Sequence, residues 1–337
     1  MGIPHVVLLE NTNEMVYASE NNNEEIDYSK EYFTIEALED GLTVQLSRNA
    51  SEYRIDNDDW ISLNANTATP SINSGQKISF KITNPTISTF YGIGSFTVSK
   101  AFNVEGNIMS LLHGDNFEGQ IDLSGKDSAF TNLFYECTTL QNAENLILPA
   151  TTLASNCYRE MFNGCSSLQS IDGISNWNVS NVTTMMFMFN GCSSLTTAPE
   201  LPATTLSSYC YSNMFYNCSS LTKTPELPAE TLVDNCYYYM FGYCYSLAEV
   251  PMISAKTHAS SSCSYMFYNC NQLNSVKVNF TSWNESNHYY WLYGVSSSGT
   301  FYKPDELPEE FGASRIPEGW TVKSINDSAT PDEPTDA

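Results

Sequence analysis

Ten cysteines are the residues of this 337-residue chain best suited to chemistry, because a thiolate can attack a substrate or bind a metal. All ten lie between Cys137 and Cys270. No Cys-x-x-Cys pair is present, and His113, His258 and His288 fit no metal-ligand spacing. We therefore predict no metal site. Since no cysteine stands apart from a repeated pattern, we predict no catalytic nucleophile either.

Carboxylates are the second group of candidates. Asp56, Asp58 and Asp59 could bind Ca²⁺, but the later Gly and Glu of a Ca²⁺ loop are missing, so a hairpin turn is the favoured interpretation. Asp305-Glu306 and Glu309-Glu310 lie in a Pro-rich segment and are predicted to be solvated. Glycine-rich phosphate loops and serine elbows are absent from the sequence. We predict a non-enzymatic protein without a cofactor, although a glycosidase could place its two carboxylates far apart in the sequence.

The charge balance excludes two classes of partner. The chain has 14 basic and 38 acidic residues, a net charge of −24, which opposes binding to nucleic-acid phosphates or anionic lipid. No run of 18 apolar residues occurs, so we expect no membrane insertion. Val6–Leu9 has no Lys or Arg before it, and we expect no secretory signal there.

A repeat dominates the chain from residue 133 onward. The motif hydrophobe-Phe-x-x-Cys-x-x-Leu occurs six times, with successive offsets of 28, 27, 26, 26 and 26 residues. Its copies begin at Leu133, Met161, Met188, Met214, Met240 and Met266. Within Ser207–Cys218, apolar residues fall at spacings typical of one face of a short helix, and Pro225 and Pro228 follow. Each repeat is therefore predicted to contain a strand, a Pro-rich crossing and a short helix, stacked on its neighbours as a solenoid.

The spacing of the cysteines argues against disulfides. Cys210 and Cys218 are eight residues apart, which is ~12 Å along a helix, whereas a disulfide needs the Cα atoms within ~7 Å. Equivalent cysteines in stacked repeats would lie about 5 Å apart with parallel Cβ vectors, which is poor disulfide geometry. We predict buried, reduced thiols.

The Met-Phe-x-x-Cys-Ser-Ser-Leu units resemble the BspA-type leucine-rich repeats of Bacteroidetes and other bacterial surface proteins. The segment Asn176–Thr183 is similar to the W-x-x-S-x-V repeat of bacterial surface lipoproteins. The resemblance covers roughly Leu133 to Val295. It implies a right-handed solenoid with parallel strands, and an interaction role without a common catalytic centre.

Residues before the repeats have a different pattern. Short strands are predicted between turn signals and suggest a small β-sandwich; they are Tyr32–Glu36, Leu42–Leu46, Glu52–Ile55, Ile78–Ile82 and Ser95–Ser99. This part resembles the all-β modules that precede such repeats in proteins of gut Bacteroidetes and of their tailed phages. The predicted fold class is thus β plus α/β, a β-sandwich followed by a right-handed leucine-rich-repeat solenoid of six to seven coils of ~26 residues. The predicted divisions are an attachment segment and linker (1–29), the β-module (30–105), a solenoid N-cap (106–132), the solenoid (133–295), a C-terminal cap (296–325) and a disordered acidic tail (326–337).

Two functional hypotheses follow from the resemblance. One is a phage virion protein, a tail or head fibre that displays a host-recognition repeat domain on the virion surface and is joined to other virion proteins through residues 1–29. The other is a secreted or cell-surface bacterial adhesin. A homo-oligomer is left open for both. The ligand would be a host cell-surface glycan, or else a protein receptor.

Tyrosines are the candidate binding residues. Tyr237, Tyr238 and Tyr239 are consecutive, so at least one must point outward, and the surroundings are rich in Ser, Thr and Asn. Rigid tyrosine rings among small polar residues are typical of binding surfaces. The predicted ligand-binding residues are Tyr238, Tyr239, Tyr243, Tyr245, Tyr289 and Tyr290. The alternative is that these rings only cover the flank of the repeats.

Overall fold

A computed structural model describes residues 26–47, 51–82, 95–171 and 184–326, together with the backbone of two short strands nearer the N-terminus. The strands are β1 (His5–Val7), β2 (Val16–Ala18), β3 (Phe33–Ala37), β4 (Val44–Leu46), β5 (Ser51–Ile55), β6 (Ile61–Leu63), β7 (Lys77–Ile82), β8 (Phe96–Val98), β9 (Phe102–Asn107), β10 (Leu140–Ile147), β11 (Ser275–Lys277), β12 (Thr300–Lys303) and β13 (Thr321–Ser324). The described helices are α1 (Ser110–His113) and two 3-10 turns, Tyr28–Lys30 and Gly114–Asn116. None of these helices has the length and apolar character that a membrane span requires.

Six strands form one mixed sheet in the order β10-β9-β3-β7-β5-β6. Its pairs are antiparallel except for β9 and β10, which run parallel. Phe33, Ile35 and Ala37 lie on one face of β3 and are fully buried, as the period-two alternation of a strand requires. Strands β1 with β2 and β4 with β8 form two further antiparallel pairs. The five strands predicted before the repeats are confirmed, with end positions that differ by at most two residues.

The repeats are built from tandem turns rather than helices. In Ser207–Cys218, the N–H groups of Met214 and Cys218 each donate to the carbonyl three residues earlier, over 3.2 Å. Tyr209, Asn213 and Asn217, four residues apart, have φ values of 61, 54 and 60°. This left-handed backbone interrupts any α-helix, and it is the conformation that Asn adopts more readily than most residues.

The alternate N–H groups of each turn segment join it to the next repeat. Those of Asn213 and Phe215 donate to the carbonyls of Tyr238 and Met240, over 2.8 and 2.9 Å. Each turn segment therefore satisfies half of its N–H groups internally and half by stacking on its neighbour. A single repeat would leave the second half unpaired, so the repeats must form together.

The predicted fold class is wrong in both of its parts. Before the repeats there is one mixed sheet that takes up β10 from the repeat region, together with short two-stranded pairs, and not a separate β-sandwich. In the described repeats the predicted helices and the continuous row of parallel strands are absent; strand pairing there is limited to β10, β11 and isolated bridges such as Thr197 with Lys223. The error has a physical cause, because apolar residues repeating every four positions fit the 3.6-residue period of a helix over so short a segment.

Stacked phenylalanines form the centre of the repeat region. We call Phe96, Phe134, Phe162, Phe189, Phe215, Phe241 and Phe267 the phenylalanine column. Neighbouring rings have centroids 5.3–5.8 Å apart and planes within 17° of parallel. All these side chains are buried, and they belong to one hydrophobic core that runs from β3 to the C-terminal segment.

The first ring of the column comes from β8, outside the repeats. The Phe96 N–H donates to the carbonyl of Leu133 over 2.8 Å, and the ring stacks on Phe134. Strand β8 thus occupies the place of a preceding repeat and covers the first motif. At the other end, β11, β12 and β13 form a parallel sheet, and the buried Ile316 and Trp320 extend the core beyond the last motif.

All ten cysteines are free and buried, which confirms the prediction of unpaired thiols. The prediction of a turn at Asp56 is also confirmed. Its carboxylate accepts from the N–H of Lys77 over 2.9 Å and from the side chain of Gln76 over 3.2 Å.

Some predictions concern residues that lie outside the described part of the chain. These are the Asn176–Thr183 repeat, the tail beyond Asn326 and most of the 1–29 attachment segment. The divisions between the N-cap, the repeats and the C-terminal cap stay predictions.

Candidate binding surface

The turn geometry determines which side chains of each repeat point outward. In the segment before Met240, Tyr237 is buried, whereas Tyr238 and Tyr239 are half-buried. Tyr243 follows as half-buried and Tyr245 as exposed. We expected at least one of the three consecutive tyrosines to point outward. In the structure two of them, Tyr238 and Tyr239, are partly exposed.

The six predicted tyrosines belong to one connected group of rings. Tyr238 contacts Tyr239 edge-on, with centroids 5.0 Å apart, and Tyr289 contacts Tyr290 at 4.5 Å. Tyr243 contacts Tyr245 at 6.1 Å. These three pairs do not contact one another directly; further tyrosines join them.

Sequence reasoning missed the tyrosines that connect the pairs. Tyr265 stacks on Tyr239, with centroids 4.3 Å apart and planes 3° from parallel, and lies 5.4 Å from Tyr289. Tyr268 contacts Tyr243 at 5.6 Å and Tyr293 at 5.3 Å. We define the tyrosine surface as the six predicted residues together with the four that join or extend them, namely Tyr216, Tyr265, Tyr268 and Tyr293. The repeat offset is the sequence signal that could have identified them. Tyr265 lies 26 residues after Tyr239, and Tyr268 lies 52 residues, or two repeats, after Tyr216.

Gly242 occupies the position between Tyr216 and Tyr268 in this register. A Cβ placed on Gly242 would lie 2.9 Å from the Tyr239 ring and 3.2 Å from the Tyr216 ring. The absence of a side chain therefore leaves room for both rings to pack edge to face, with centroids 5.6 Å apart.

Several rings of the tyrosine surface stand on left-handed backbone. Tyr239, Tyr243, Tyr265 and Tyr290 have φ values of 51, 62, 57 and 51°. The preceding repeat has Asn213 at the position of Tyr239, in the same conformation. A bulky residue is disfavoured there relative to Gly or Asn, so the tyrosines do not serve the turn itself.

The surroundings of Tyr239 and Tyr216 keep these two phenol groups neutral. Burial among the neighbouring rings raises the pKa of Tyr239, and the nearby Tyr265 phenol raises it further. Burial likewise raises the pKa of Tyr216. Neutral phenols both donate and accept hydrogen bonds, so this surface presents apolar ring faces beside uncharged polar groups.

An open cleft adjoins the C-terminal end of the tyrosine surface. It has a volume of ≈530 Å³ and is lined by Tyr289, Tyr290, Phe311, Glu285 and the Glu310–Arg315 segment. Glu310 pairs with Arg315 over 2.9 Å. Aromatic and charged residues thus line one cleft.

A second grouping of side chains lies inside the repeats and shares no residue with the tyrosine surface. His258, Cys263 and His288 each offer a ligand atom, and these atoms lie within 4.8 Å of one another. Burial lowers the pKa of His258 to about 4 and that of His288 to about 3. Both imidazoles are therefore neutral at neutral pH. Spacing along the chain did not reveal this proximity, because His288 lies 25 residues after Cys263. The two residues come close in space only because successive repeats stack.

Two family models match the repeat region. Residues 178–292 match the BspA type leucine rich repeat region in six copies, and residues 128–227 match a family described as Mycoplasma protein of unknown function, DUF285. No curated protein and no solved structure matches the chain. The part of the chain that forms the tandem turns and most of the tyrosine surface is thus similar to BspA-type repeats, which agrees with the resemblance drawn from its motifs and points to a binding or adhesion role.

Proposed function

We propose that this chain is a non-enzymatic binding protein whose tyrosine surface recognises a bacterial cell-surface glycan. The observation that carries the proposal is the continuous group of tyrosine rings that ends at a polar cleft. Tyr245, Tyr289 and Tyr293 are 40–45% exposed, so ring faces are available to a ligand.

Sugar chemistry fits such a surface. A pyranose ring has an apolar face of C–H groups, which packs on an aromatic ring, and hydroxyls at its edge, which need hydrogen-bond partners. The cleft beside Tyr289 offers the carboxylates of Glu285 and Glu310 as acceptors. The tyrosines are held by contacts with each other, so little side-chain freedom is lost on binding.

A protein receptor is the second candidate. Tyrosine beside Ser and Asn is also the composition of antibody paratopes, which bind proteins. Ser260, Ser261 and Asn269 are examples of such residues in the same repeats as Tyr265. A glycan ligand and a protein ligand are destroyed by different treatments of the cell surface.

Binding to cells treated with periodate or with protease distinguishes a glycan ligand from a protein ligand. Fluorescently labelled full-length chain should bind untreated cells from a panel of Bacteroidetes strains and should lose binding after periodate oxidation of surface sugars. Protease treatment should leave binding unchanged. Binding that survives periodate and is lost after protease would replace the glycan with a protein receptor.

Two sites of action are consistent with this proposal. In one, the chain is a tail or head fibre of a phage, attached to other virion proteins through residues 1–29; ten unpaired thiols are compatible with folding in a reducing cytosol. In the other, the chain is an adhesin on a bacterial surface. Antibodies against the chain should label purified phage particles in the first case and intact bacterial cells in the second.

A further inference from the structure

The repeat containing Cys263 departs from its neighbours at two positions. The motif Leu-Pro-Ala-x-Thr-Leu ends in Leu232 in the preceding repeat, whereas the corresponding segment Ile253–His258 ends in His258. Tyr211, Tyr237 and Cys263 occupy equivalent positions of successive repeats, 26 residues apart, and the next repeat has His288 at that position. One imidazole thus replaces a leucine of the repeat pattern, and the other replaces a buried Tyr or Cys.

Stacking brings both imidazoles to one thiol. The Cys263 N–H donates to the carbonyl of Asn287 over 3.0 Å, which places His288 beside Cys263 in the next repeat along the chain. The Cys263 sulfur lies 3.7 Å from Nδ1 of His258. The imidazole rings of His258 and His288 have centroids 4.6 Å apart.

Each imidazole has a buried ring nitrogen without a hydrogen-bond partner. Nε2 of His258 and Nε2 of His288 are buried and make no hydrogen bond, and His288 is fully buried. A buried polar atom without a partner destabilises the fold unless a ligand satisfies it. Nδ1 of His288 lies 3.2 Å from the carbonyl oxygen of Asn284. Since a carbonyl only accepts, the proton is on Nδ1 and the lone pair is on Nε2, the arrangement found in metal-binding histidines.

From these contacts we propose that His258, Cys263 and His288 bind a zinc ion. Two imidazole nitrogens and one thiolate are ligands that Zn²⁺ prefers, whereas Mg²⁺ and Ca²⁺ require oxygen ligands. The ligand atoms need to approach by about 1 Å to reach the ~3.3–3.8 Å separations of a tetrahedral site. A water molecule would complete the tetrahedron. The aromatic rings of Phe280, Trp283 and Trp291 pack against His288 and form an apolar wall around the site.

Such a zinc ion would lie between the last two repeats. It would join the turn at Cys263 to the repeat that carries Tyr289 and Tyr290, and so fix the C-terminal end of the tyrosine surface. The zinc proposal does not rest on the proposed glycan binding, since none of the three ligands belongs to the tyrosine surface.

Metal titration of the full chain tests the proposal. After treatment with EDTA and gel filtration, the chain should bind one equivalent of Co²⁺ with a sulfur-to-cobalt charge-transfer band, and Zn²⁺ should displace it. Cys263→Ser should remove the band and weaken Zn²⁺ binding by more than about 10-fold. Cys236→Ser, an equally buried thiol one repeat earlier, should leave both unchanged.

X-ray absorption of the zinc-loaded wild-type chain gives a measurement that does not depend on a variant. We expect one sulfur at ~2.3 Å and nitrogen ligands at ~2.0 Å from zinc. No binding by the wild-type chain, zinc surrounded only by oxygen and nitrogen, or equal losses in Cys263→Ser and Cys236→Ser would each overturn the proposal.

Discussion

The thiol of Cys218 donates a hydrogen bond to the backbone carbonyl of Phe189, in the preceding repeat, over 3.1 Å. The same bond joins four other motif cysteines to the phenylalanine column one repeat earlier, at 3.0–3.2 Å for Cys165, Cys192, Cys244 and Cys270. Cys137 makes it to Phe96 of β8 over 3.3 Å. The cysteine is thus a small buried donor that satisfies a core carbonyl, and this explains its presence in every motif without any redox role.

All ten thiols should be reduced and unreactive in the folded protein. Burial raises the pKa of Cys137 and Cys270 to about 12, so little thiolate forms near neutral pH. Intact-mass analysis after alkylation should show no added label under native conditions and ten labels in denaturant. Linked pairs in the native chain would contradict the geometry of the cysteines.

Stability should fall steeply at alkaline pH. The folded-state pKa of Cys157 and Cys236 is raised from 9.0 to about 12 by burial. Above pH 9 the unfolded chain loses these protons while the folded chain keeps them, so the free energy of unfolding decreases between about pH 9 and 12. Each thiol contributes up to about 1.4 kcal/mol per pH unit.

Urea unfolding from pH 8 to pH 11 measures this decrease. Cys157→Ala serves as the control, because it should reduce the slope by the share of one thiol. An unfolding free energy that is constant over this range would show that the thiols are not buried as described.

Loss of a ring from the phenylalanine column should be severe. Phe215 is fully buried between Phe189 and Phe241, with both centroid distances at 5.5 Å. Phe215→Ala should lower the free energy of unfolding by about 3–5 kcal/mol, as for other buried phenylalanines. Chemical denaturation checks this value. Tyr209→Ala, at an exposed position, is the control and should cost less than about 1 kcal/mol.

Removal of the C-terminal segment should expose the core. Trp291 contacts Phe267, the last ring of the phenylalanine column, and Phe301 contacts Trp291; these side chains and Trp320 are buried. A chain lacking residues 281–325 is therefore expected to aggregate, as repeat arrays do when a terminal cap is removed. Light scattering by the truncated chain, compared with the full-length chain, measures this aggregation. A truncated chain that stays monomeric with an unchanged melting temperature would show that the segment is no cap.

Much of the packing in the repeat region could be predicted from the sequence, because it follows from the positions of equivalent residues in successive repeats. The offset of the Phe-x-x-Cys motif predicted that the repeats stack on one another, and the spacing of the cysteines predicted free thiols. The conformation of the turns was not predicted, because apolar residues at Cys210, Met214 and Cys218 suit a helix and a four-residue turn equally. Asn213 and Asn217 carried the information that separates the two, since Asn favours turns and left-handed backbone.

Only part of the tyrosine surface could be identified from the sequence, for a related reason. Consecutive tyrosines at 237–239 were visible as a local pattern. Tyr265 and Tyr268 were not, because their contacts depend on which turn residues of successive repeats face outward. The proximity of His258 to His288 depends in the same way on three-dimensional register.

The central claim is that the tyrosine surface binds the ligand, and a matched set of tyrosine variants tests it most directly. In one full-length chain, Tyr239, Tyr243 and Tyr265 are replaced together by Asn, the residue that suits their left-handed backbone. In the control chain, Tyr209→Asn changes an exposed tyrosine that is also left-handed, with a φ of 61°, but makes no described ring contact with the tyrosine surface.

Binding of these chains to an array of bacterial capsular polysaccharides and O-antigens is the measurement. We predict that the wild-type and Tyr209→Asn chains bind the same glycans, whereas the triple variant folds with cooperative denaturation and loses binding by at least about 100-fold, a loss of roughly 2.7 kcal/mol. Equal binding by the folded triple variant and the wild-type chain would contradict the account.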